Sequence, residues 1–501
     1  MTAIPVRHGS CGIRAKRDPI ANPQPSEANI VPQSKQRQID LVNEPIGSAL
    51  ARLALPIMAS AFLATAYNIT DMAWIGLLGS NAVAAVGVAG MYTWLASAIV
   101  VMARMGGQVN MAQALGNRRP DEAVQYARGA LQLAVGLALA FSAVTLAFAD
   151  GLVGILVPDD PRVAQEAALY LRLCGGFVLF IYLSQTLTAL LTAQGDSKTP
   201  FKANAVGLVV NMALDPLLIL GLGPVPQLGV LGAAVATVFA QLVVAGLMIV
   251  GIVRDKGAAN VLRRVRPLQP TKAVHLSRIV KIGLPAAIQS ALYAVISMVL
   301  TRMVAAWGSG AVAVQRVGGQ IESLTWCTAD AVGSALNAFS AQNFGARRPE
   351  RIRRGYRLAF VAVGAWALAV SALFIFLPGP ISSVFFHEPD VVGISSSYLF
   401  VIGIGEAFMC IELMTVGALS GLGKTRLCSV ISVTLTGSRI PLAPLLSSTP
   451  LGLDGVWWAL TITSIAKGVV FWAVFRSVSR CLPVSASSAT GAADEVGPSL
   501  A

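Results

Sequence analysis

Acidic side chains inside long apolar stretches are the residues of this sequence best able to do chemistry. Asp71 lies one helical turn after Tyr67, and Asn211 and Asp215 repeat this spacing in a later stretch. Residues four apart share one face of a helix, so each pair can act together. An ionised carboxylate at the depth of a bilayer costs at least ~2.5 kcal/mol. Each of these acids therefore needs a partner or a function.

Pro216 directly follows Asp215. Because proline cannot donate a backbone hydrogen bond, it frees the carbonyl group of Met212 and bends the helix. A carboxylate, an amide and a free carbonyl at a bend are groups that hold a proton or a small cation. We hypothesise that Asp71 and Asp215 approach each other and together bind such a proton or cation. The alternative is that these acids only accept hydrogen bonds from neighbouring helices.

Further charged and polar residues lie in the later apolar stretches. Glu322 and Glu412 are candidates for binding substrate, together with Gln320 and Arg316. A structural ion pair, such as Arg316 with Glu322, is the alternative. We expect Glu322 to face a cavity and attract cationic substrate, and Glu412 to pair with an arginine that fixes the helix. The arginines available to Glu412 are Arg302, Arg316 and Arg439.

The sequence carries no motif for metal chemistry or nucleotide hydrolysis. The three histidines lie far apart, and the six cysteines have no paired spacing. Gly423-Lys424-Thr425 resembles the end of a phosphate-binding loop, but the glycine required five positions earlier is Ala418. An integral membrane transferase, a less favoured alternative, would need clustered acids or histidines on a membrane-facing loop. We therefore predict a protein without metal or cofactor that is not an enzyme.

These residues belong to a pattern that the chain contains twice, at one constant offset in residue number. Residues 79–84 (GSNAVA) recur as 308–313 (GSGAVA), and residues 112–120 (AQALGNRRP) recur as 341–349 (AQNFGARRP). Two similar apolar halves are typical of a membrane transporter whose site lies between them.

The composition requires lipid as the solvent, because 55% of the residues are hydrophobic, 12% are charged and the mean hydropathy is +0.69. Twelve apolar stretches are long enough, at ~20 residues, to cross a bilayer. Apolar residues occur at consecutive positions of these stretches rather than at every second one, which favours transmembrane helices over the strands of a barrel. We predict an all-α integral membrane protein with twelve transmembrane helices in two pseudo-symmetric six-helix lobes. The stretches start near Leu53, Val83, Ala127, Ala167, Phe201, Gly232, Ile279, Ala311, Leu358, Ile394, Leu427 and Gly455.

Lysine and arginine concentrate in alternate connectors between these stretches. Residues 254–281 hold eight of them, whereas the connector around Asp159 and Asp160 holds Arg162 alone and the one around His387 holds none. By the positive-inside rule we predict that the protein lies in the inner membrane of the cell with both termini in the cytosol. The net charge of +13 is thus connector charge rather than a surface for nucleic acid.

The same reading divides the chain into five segments. Residues 1–47 are polar and lack the apolar core of a signal peptide, and residues 479–501 are rich in Ser, Ala and Gly, so we predict two disordered cytosolic tails. Residues 48–253 form the N-terminal lobe, 254–278 a basic cytosolic linker, and 279–478 the C-terminal lobe.

Several motifs in one order resemble the multidrug and toxic compound extrusion (MATE) family over roughly residues 45 to 478. They are Asp71 with 75–85, 211–216 followed by 229–234, 315–324, and 412–414 leading to 421–425. The resemblance implies V-shaped lobes and an efflux antiporter that exchanges drug-like, often cationic, compounds for protons or sodium ions. The partners are then small organic substrates and the lipid bilayer, and we expect a functional monomer.

The family also suggests roles for particular residues. Positions matching Asp71, Asn211 and Asp215 form its first-lobe ion site, to which we add Tyr67 and Thr237. Some members carry coupling acids on the seventh and tenth helices. Here the seventh has none, and either Glu406 or Glu412 could match the tenth.

A lipid-linked oligosaccharide flippase of the same wider superfamily is the alternative transporter. Such a flippase would favour a large cationic cavity for a pyrophosphate group. The intramembrane arginines, Arg104, Arg302 and Arg316, are few and dispersed, which favours the antiporter.

Overall fold

The computed structural model describes residues 38–156, 161–221, 226–257 and 259–482, and these residues are helical apart from short connections. The helices of the first half are α1 (Ile46–Gly76), α2 (Ser80–Gly116), α3 (Pro120–Leu156), α4 (Pro161–Gly176), α5 (Leu179–Ala193), α6 (Lys198–Ile219) and α7 (Val230–Arg254). Those of the second half are α8 (Ala273–Ala305), α9 (Ser309–Gly345), α10 (Pro349–Phe376), α11 (Pro378–Phe385), α12 (Pro389–Gly421), α13 (Thr425–Gly437), α14 (Arg439–Ser447) and α15 (Leu453–Arg480).

Ten spans in the described residues are long and apolar enough to cross a membrane, with α13 and α14 counted together. The bent pair α4 and α5, which meet at 47°, makes eleven. The remaining long helix is α9, whose 37 residues include Arg316, Glu322 and Asp330. With α9 as the twelfth span, each predicted apolar stretch starts within a helix, and the predicted all-α membrane fold is confirmed.

The sequence repeat is also a repeat of backbone conformation. Arg118 and Arg347 occupy the same position in the two copies, and both have φ of 57°, a left-handed value that is uncommon for residues other than glycine. Helices α5 and α12 likewise end two residues before a glycine with positive φ, Gly195 and Gly423. The ends of α2 and α9, and of α5 and α12, are therefore equivalent pairs.

The two halves pack closely along α2 and α8. A Cβ atom added to Gly106 would lie 2.2 Å from the carbonyl oxygen of Ile279, and one added to Gly283 would lie 1.9 Å from that of Met102. The start of α1 similarly packs against α9, where Leu53 and Phe339 share one buried apolar cluster. The core of the protein is therefore continuous between the halves at this end.

The residues just before α1 differ from the prediction of a disordered tail over 1–47. Ile39 and Leu41 are buried, the Ile39 amide donates to the carbonyl of Gly195, and the Asn343 side chain donates to the carbonyl of Leu41. Residues 38–47 are therefore ordered, because their apolar side chains and backbone contact both halves. Residues 1–37 lie outside the described residues.

The other predicted boundaries shift by a few residues. Helix α15 continues to Arg480, so the second tail begins after the predicted residue 479, and residues 483–501 lie outside the described residues. Helix α8 begins at Ala273, within the predicted linker. The linker also contains a short 3-10 turn, Val261–Arg264, whose apolar side chains are buried. The acidic pair Asp159 and Asp160 lies outside the described residues.

Candidate functional site

Five polar side chains from three helices meet inside the first half. They are Tyr67 and Asp71 on α1, Asn211 and Asp215 on α6, and Thr237 on α7. The hydroxyl oxygens of Tyr67 and Thr237 lie 3.1 Å apart. Asp71 and Asp215 are close enough for their charges to act on each other and on Tyr67. The structure therefore brings together all the residues predicted for the cation site.

Several polar atoms of this cluster are buried without a well-aligned hydrogen bond. Asp71 is 8% exposed, Asp215 1% and Asn211 0%. Both carboxyl oxygens of Asp215, one of Asp71 and both amide atoms of Asn211 have no hydrogen-bond partner in the described part of the chain. A buried polar atom left unpaired costs about 1–3 kcal/mol, and more when charged. A proton or a small cation would relieve this cost.

The folding of α6 explains why Asn211 and Asp215 face inward. The buried residues of α6 recur every three or four positions along one stripe that ends at Ile219, and both polar residues belong to it. Pro216 lies inside the same helix and leaves the Met212 carbonyl without its usual donor. The sequence thus places Asn211 and Asp215 on the buried face of α6, next to the hydrogen bond that Pro216 removes.

Two residues that sequence reasoning missed complete the surroundings of this cluster. Tyr170 and Cys174 on α4 are buried and lie near Asp71 and Tyr67. Their spacing of four residues is the spacing of Tyr67 and Asp71. This repeated spacing places both side chains on one face of α4. Because neither residue is charged, the sequence alone did not suggest that they belong to an ion site.

A cavity of about 160 Å³ lies beside Tyr67, between α1, α6 and α7. Its lining includes the polar side chains of Ser60, Asn204 and Gln241 among apolar residues. The Gln241 carboxamide oxygen accepts a hydrogen bond from Ser184 at 3.1 Å. A partly open pocket therefore borders the Tyr67 side chain.

A second polar cluster lies in the second half around Glu322. The Tyr398 hydroxyl donates a hydrogen bond of 2.5 Å to the Glu322 carboxylate, and the Tyr398 ring meets Trp457 edge-on at 5.0 Å. Gly318 admits this ring, because a Cβ atom there would lie 2.1 Å from Tyr398 Cε1. Glu322 is half-buried, and its carboxylate is held by Tyr398 of α12.

Glu406 on α12 lies in the same cluster and was only an uncertain candidate from the sequence. It is 1% exposed, and neither of its carboxyl oxygens has a hydrogen-bond partner among the described residues. Glu322 is a charged neighbour of both Glu406 and Arg439. The Arg439 guanidinium is itself buried and donates to the hydroxyls of Thr463 and Ser464 at 2.8 and 3.1 Å.

The prediction that Glu412 pairs with an arginine is wrong. Its carboxylate accepts from the Lys467 ammonium at 2.8 Å, and both side chains are buried. Lys467 on α15 reaches Glu412 because α12 and α15 pack closely together. This buried ion pair assigns Glu412 to the packing of the helices and argues against a place for it in substrate binding.

The other predicted substrate residues lie apart from this core. Arg316 and Gln320 are exposed, and so is Arg302, which was predicted only as a possible ion-pair partner. In the described residues Glu322 bonds to Tyr398 rather than to Arg316. Arg104 on α2 and Asp330 on α9 interact electrostatically across the two halves. The structure thus brings Glu322 into a cluster with Glu406 and leaves Arg316 and Gln320 on an accessible face of α9.

Comparison with known proteins agrees with this two-part architecture. A protein-family model described as MatE matches residues 56–217 and again residues 285–445. The chain is 27% identical over 461 residues to an FAD transporter of Shewanella oneidensis, with 90% of this chain and 98% of the relative covered. It is 25% identical over 439 residues to a probable multidrug resistance protein, NorM, of Thermotoga maritima, with coverage of 87% and 92%.

A solved structure shares the fold. An outward-facing multidrug resistance MATE family transporter of the MOP superfamily superposes with a TM-score of 0.82 at 22% identity, covering 90% of this chain and all of that one. The family model matches both halves of the sequence repeat, and its two matches start at Pro56 and Pro285, which are equivalent positions of that repeat. The chain therefore belongs to the MATE family of membrane transporters, and it is not an enzyme.

Proposed function

We propose that this protein is a secondary active efflux antiporter that exports drug-like, often cationic, organic compounds in exchange for protons or sodium ions. The observation that carries the proposal is the cluster of Asp71, Asn211 and Asp215, buried in the first half with unpaired polar atoms. Burying two acids in this way is costly unless a cation is bound at some stage of the cycle. Two carboxyl groups and an amide supply such a site.

Coupling follows from the position of Pro216 beside Asp215 in α6. A cation bound between α1 and α6 removes the repulsion of two carboxylates and draws these helices together, whereas its release lets them part. A proline-weakened helix changes its bend at small cost. Such a change in one lobe would alternate the side to which the substrate site opens.

Substrate recognition belongs, in this proposal, to the accessible residues of the second half. Glu322 lies half-buried on α9, two residues after the exposed Gln320 and six after the exposed Arg316. These spacings turn Glu322 toward a different face of the helix from the other two. A carboxylate among apolar residues attracts cations, because water only partly screens its field there. Glu322 would thus select cationic compounds.

The proposed orientation places both termini in the cytosol of a cell whose inner membrane the protein spans. The positive-inside rule supports this orientation, because it would put the basic connectors 254–272 and 346–348 on the cytosolic side. Export then runs away from these connectors.

The test is transport by purified protein in vesicles, with a proton gradient and a sodium gradient imposed separately and a fluorescent cationic dye as cargo. The proposal requires dye transport driven by one of the two gradients and abolished when that gradient is collapsed by an ionophore. Dye movement that depends on neither gradient would overturn coupled antiport.

A flavin nucleotide is the second candidate cargo, because the relative from Shewanella oneidensis is an FAD transporter. The buried Arg439 guanidinium, held by hydroxyls, is of the type that binds phosphate groups well. The same vesicles, loaded with FAD in place of dye, distinguish the two. Gradient-driven movement of FAD without movement of the dye would assign the flavin as cargo.

A further inference from the structure

The two copies of the repeated segment, residues 112–120 and 341–349, contact each other symmetrically where α2 and α9 end. A Cβ atom added to Gly116 would lie 1.9 Å from the carbonyl oxygen of Gln342. One added to Gly345 would lie 2.1 Å from the carbonyl oxygen of Gln113. The two glycines occupy one position of the repeat, and the two glutamines occupy another. Each half thus contributes the same two residues to a two-fold contact.

The glutamine side chains then reach across this contact. Gln113 Nε2 donates to the carbonyl oxygen of Gly421 at 2.9 Å, and Gln342 Nε2 donates to that of Ala193 at 2.7 Å. Gly421 is the last residue of α12, and Ala193 is the last residue of α5. The final carbonyl groups of a helix have no partner within it. Each glutamine therefore caps a helix that belongs to the other half.

We infer that Gln113 and Gln342 are the paired closing residues of a gate between the two halves, and that both bonds break in each transport cycle. Alternating access needs the halves to close at one face of the membrane and later to part there. The inference rests on the proposed function for its meaning in transport. The contact itself can be tested without substrate or gradient, so its failure would be distinct from failure of that function.

The chemistry of the contact suits reversible closure. Both donors and both acceptors are neutral, so parting leaves no uncompensated charge. Arg118 and Arg347, which follow the two glycines by two positions, are exposed, and water can therefore reach the carboxamides once the halves separate. A neutral hydrogen bond of this kind shifts a two-state ratio by only roughly 2- to 12-fold. Each bond therefore favours the closed state but is weak enough to break during the transport cycle.

Two spin labels can report the opening of this gate. Asp121 and Glu350, which follow the two repeated segments, have side chains that are 84% and 64% exposed. Each is replaced by cysteine in full-length protein, with Cys11 and Cys481 changed to serine. Double electron–electron resonance in lipid nanodiscs, without substrate, then gives the ratio of short to long distances between the halves.

Gln113→Glu and Gln342→Glu should each lower the short-to-long ratio, by roughly 2- to 12-fold or more. Glutamate has the shape of glutamine but, when ionised, cannot donate to a carbonyl oxygen. A residue that only fills space would tolerate the exchange. Melting temperatures of the same samples show that the variants remain folded. An unchanged distance distribution in either folded variant would overturn the paired gate.

Gln132→Glu is the matched control, because Gln132 Nε2 also donates to two backbone carbonyls, of Pro267 and Gln269, but these lie in the linker. It should leave the distances unchanged, and an equal shift there would also overturn the proposal. A second route is Gly116→Ala, which should wedge the contact open. Its control is Gly136→Ala, because nothing lies within 4 Å of a Cβ atom at Gly136.

Discussion

Lys467 and Glu412 form an ion pair of 2.8 Å in which the side chains are only 5% and 8% exposed. The pair ties α15 to α12 in the interior of the second half. Inside a protein, two opposite charges offset each other only while both are present. Removing one partner leaves a buried charge that nothing neutralises.

Single and double substitutions of this pair should therefore differ. Lys467→Met and Glu412→Gln should each lower the free energy of unfolding, the lysine change by about 3–5 kcal/mol because it leaves the carboxylate unpaired. The double variant Lys467→Met with Glu412→Leu should recover most of that loss. Thermal unfolding of the purified variants in detergent measures the difference.

The exposed pair of Arg172 and Asp150 is the control, since surface ion pairs contribute about 0–1 kcal/mol. Asp150→Asn should hardly change the melting temperature. If Lys467→Met were as mild as Asp150→Asn, the buried pair would not hold the two helices together.

A side chain at Gly318 should lower the stability of the protein, whereas one at Gly319 should not, because only Gly318 packs against the Tyr398 ring. Gly318→Ala places a methyl group against the Tyr398 ring and should cost about 1–3 kcal/mol of stability while displacing the hydroxyl from Glu322. Gly319→Ala adds the same group where nothing lies within 4 Å. Melting temperatures that fall equally in both variants would exclude the ring contact as the cause.

Glu322 should contribute to binding cations more than to folding. We expect Glu322→Gln to keep its fold, because glutamine can still accept the Tyr398 hydrogen bond, and to bind a cationic dye roughly tenfold more weakly, which is ~1.4 kcal/mol. Fluorescence titration with ethidium, beside a neutral dye as control, measures this. A folded variant with unchanged dye affinity would leave Glu322 without a role in recognition.

Much of the first half was predictable because its signals are local. The spacing of Tyr67 with Asp71 and of Asn211 with Asp215 lies within single helices, and the repeat shows where the helices begin. The partner of Glu412 was not predictable in this way. Lys467 lies on a different helix much further along the chain, and its approach depends on how α12 and α15 cross. The same holds for Ile39 and Leu41, whose burial needs surfaces from both halves.

Membrane orientation is checked by labelling single cysteines in intact cells. With Cys11 and Cys481 replaced by serine, a cysteine at Arg264 should be protected from an impermeant thiol reagent, because the linker is cytosolic in our proposal. A cysteine at the exposed Glu388, on the opposite side, should be modified. The reverse pattern would invert the topology and with it the direction of export.

The central claim is that the buried carboxyl groups of the first half couple cation movement to export. The most direct test is the ion flux released by substrate: dye is added to vesicles that hold the driving gradient, and dissipation of that gradient is recorded. Asp71→Asn and Asp215→Asn should each abolish dissipation, because an amide has no negative charge to balance a bound cation and cannot take up a proton. The exposed Asp121→Asn should behave as the parent. Full dye-driven dissipation by either buried variant, at equal amounts of reconstituted protein, would contradict the account.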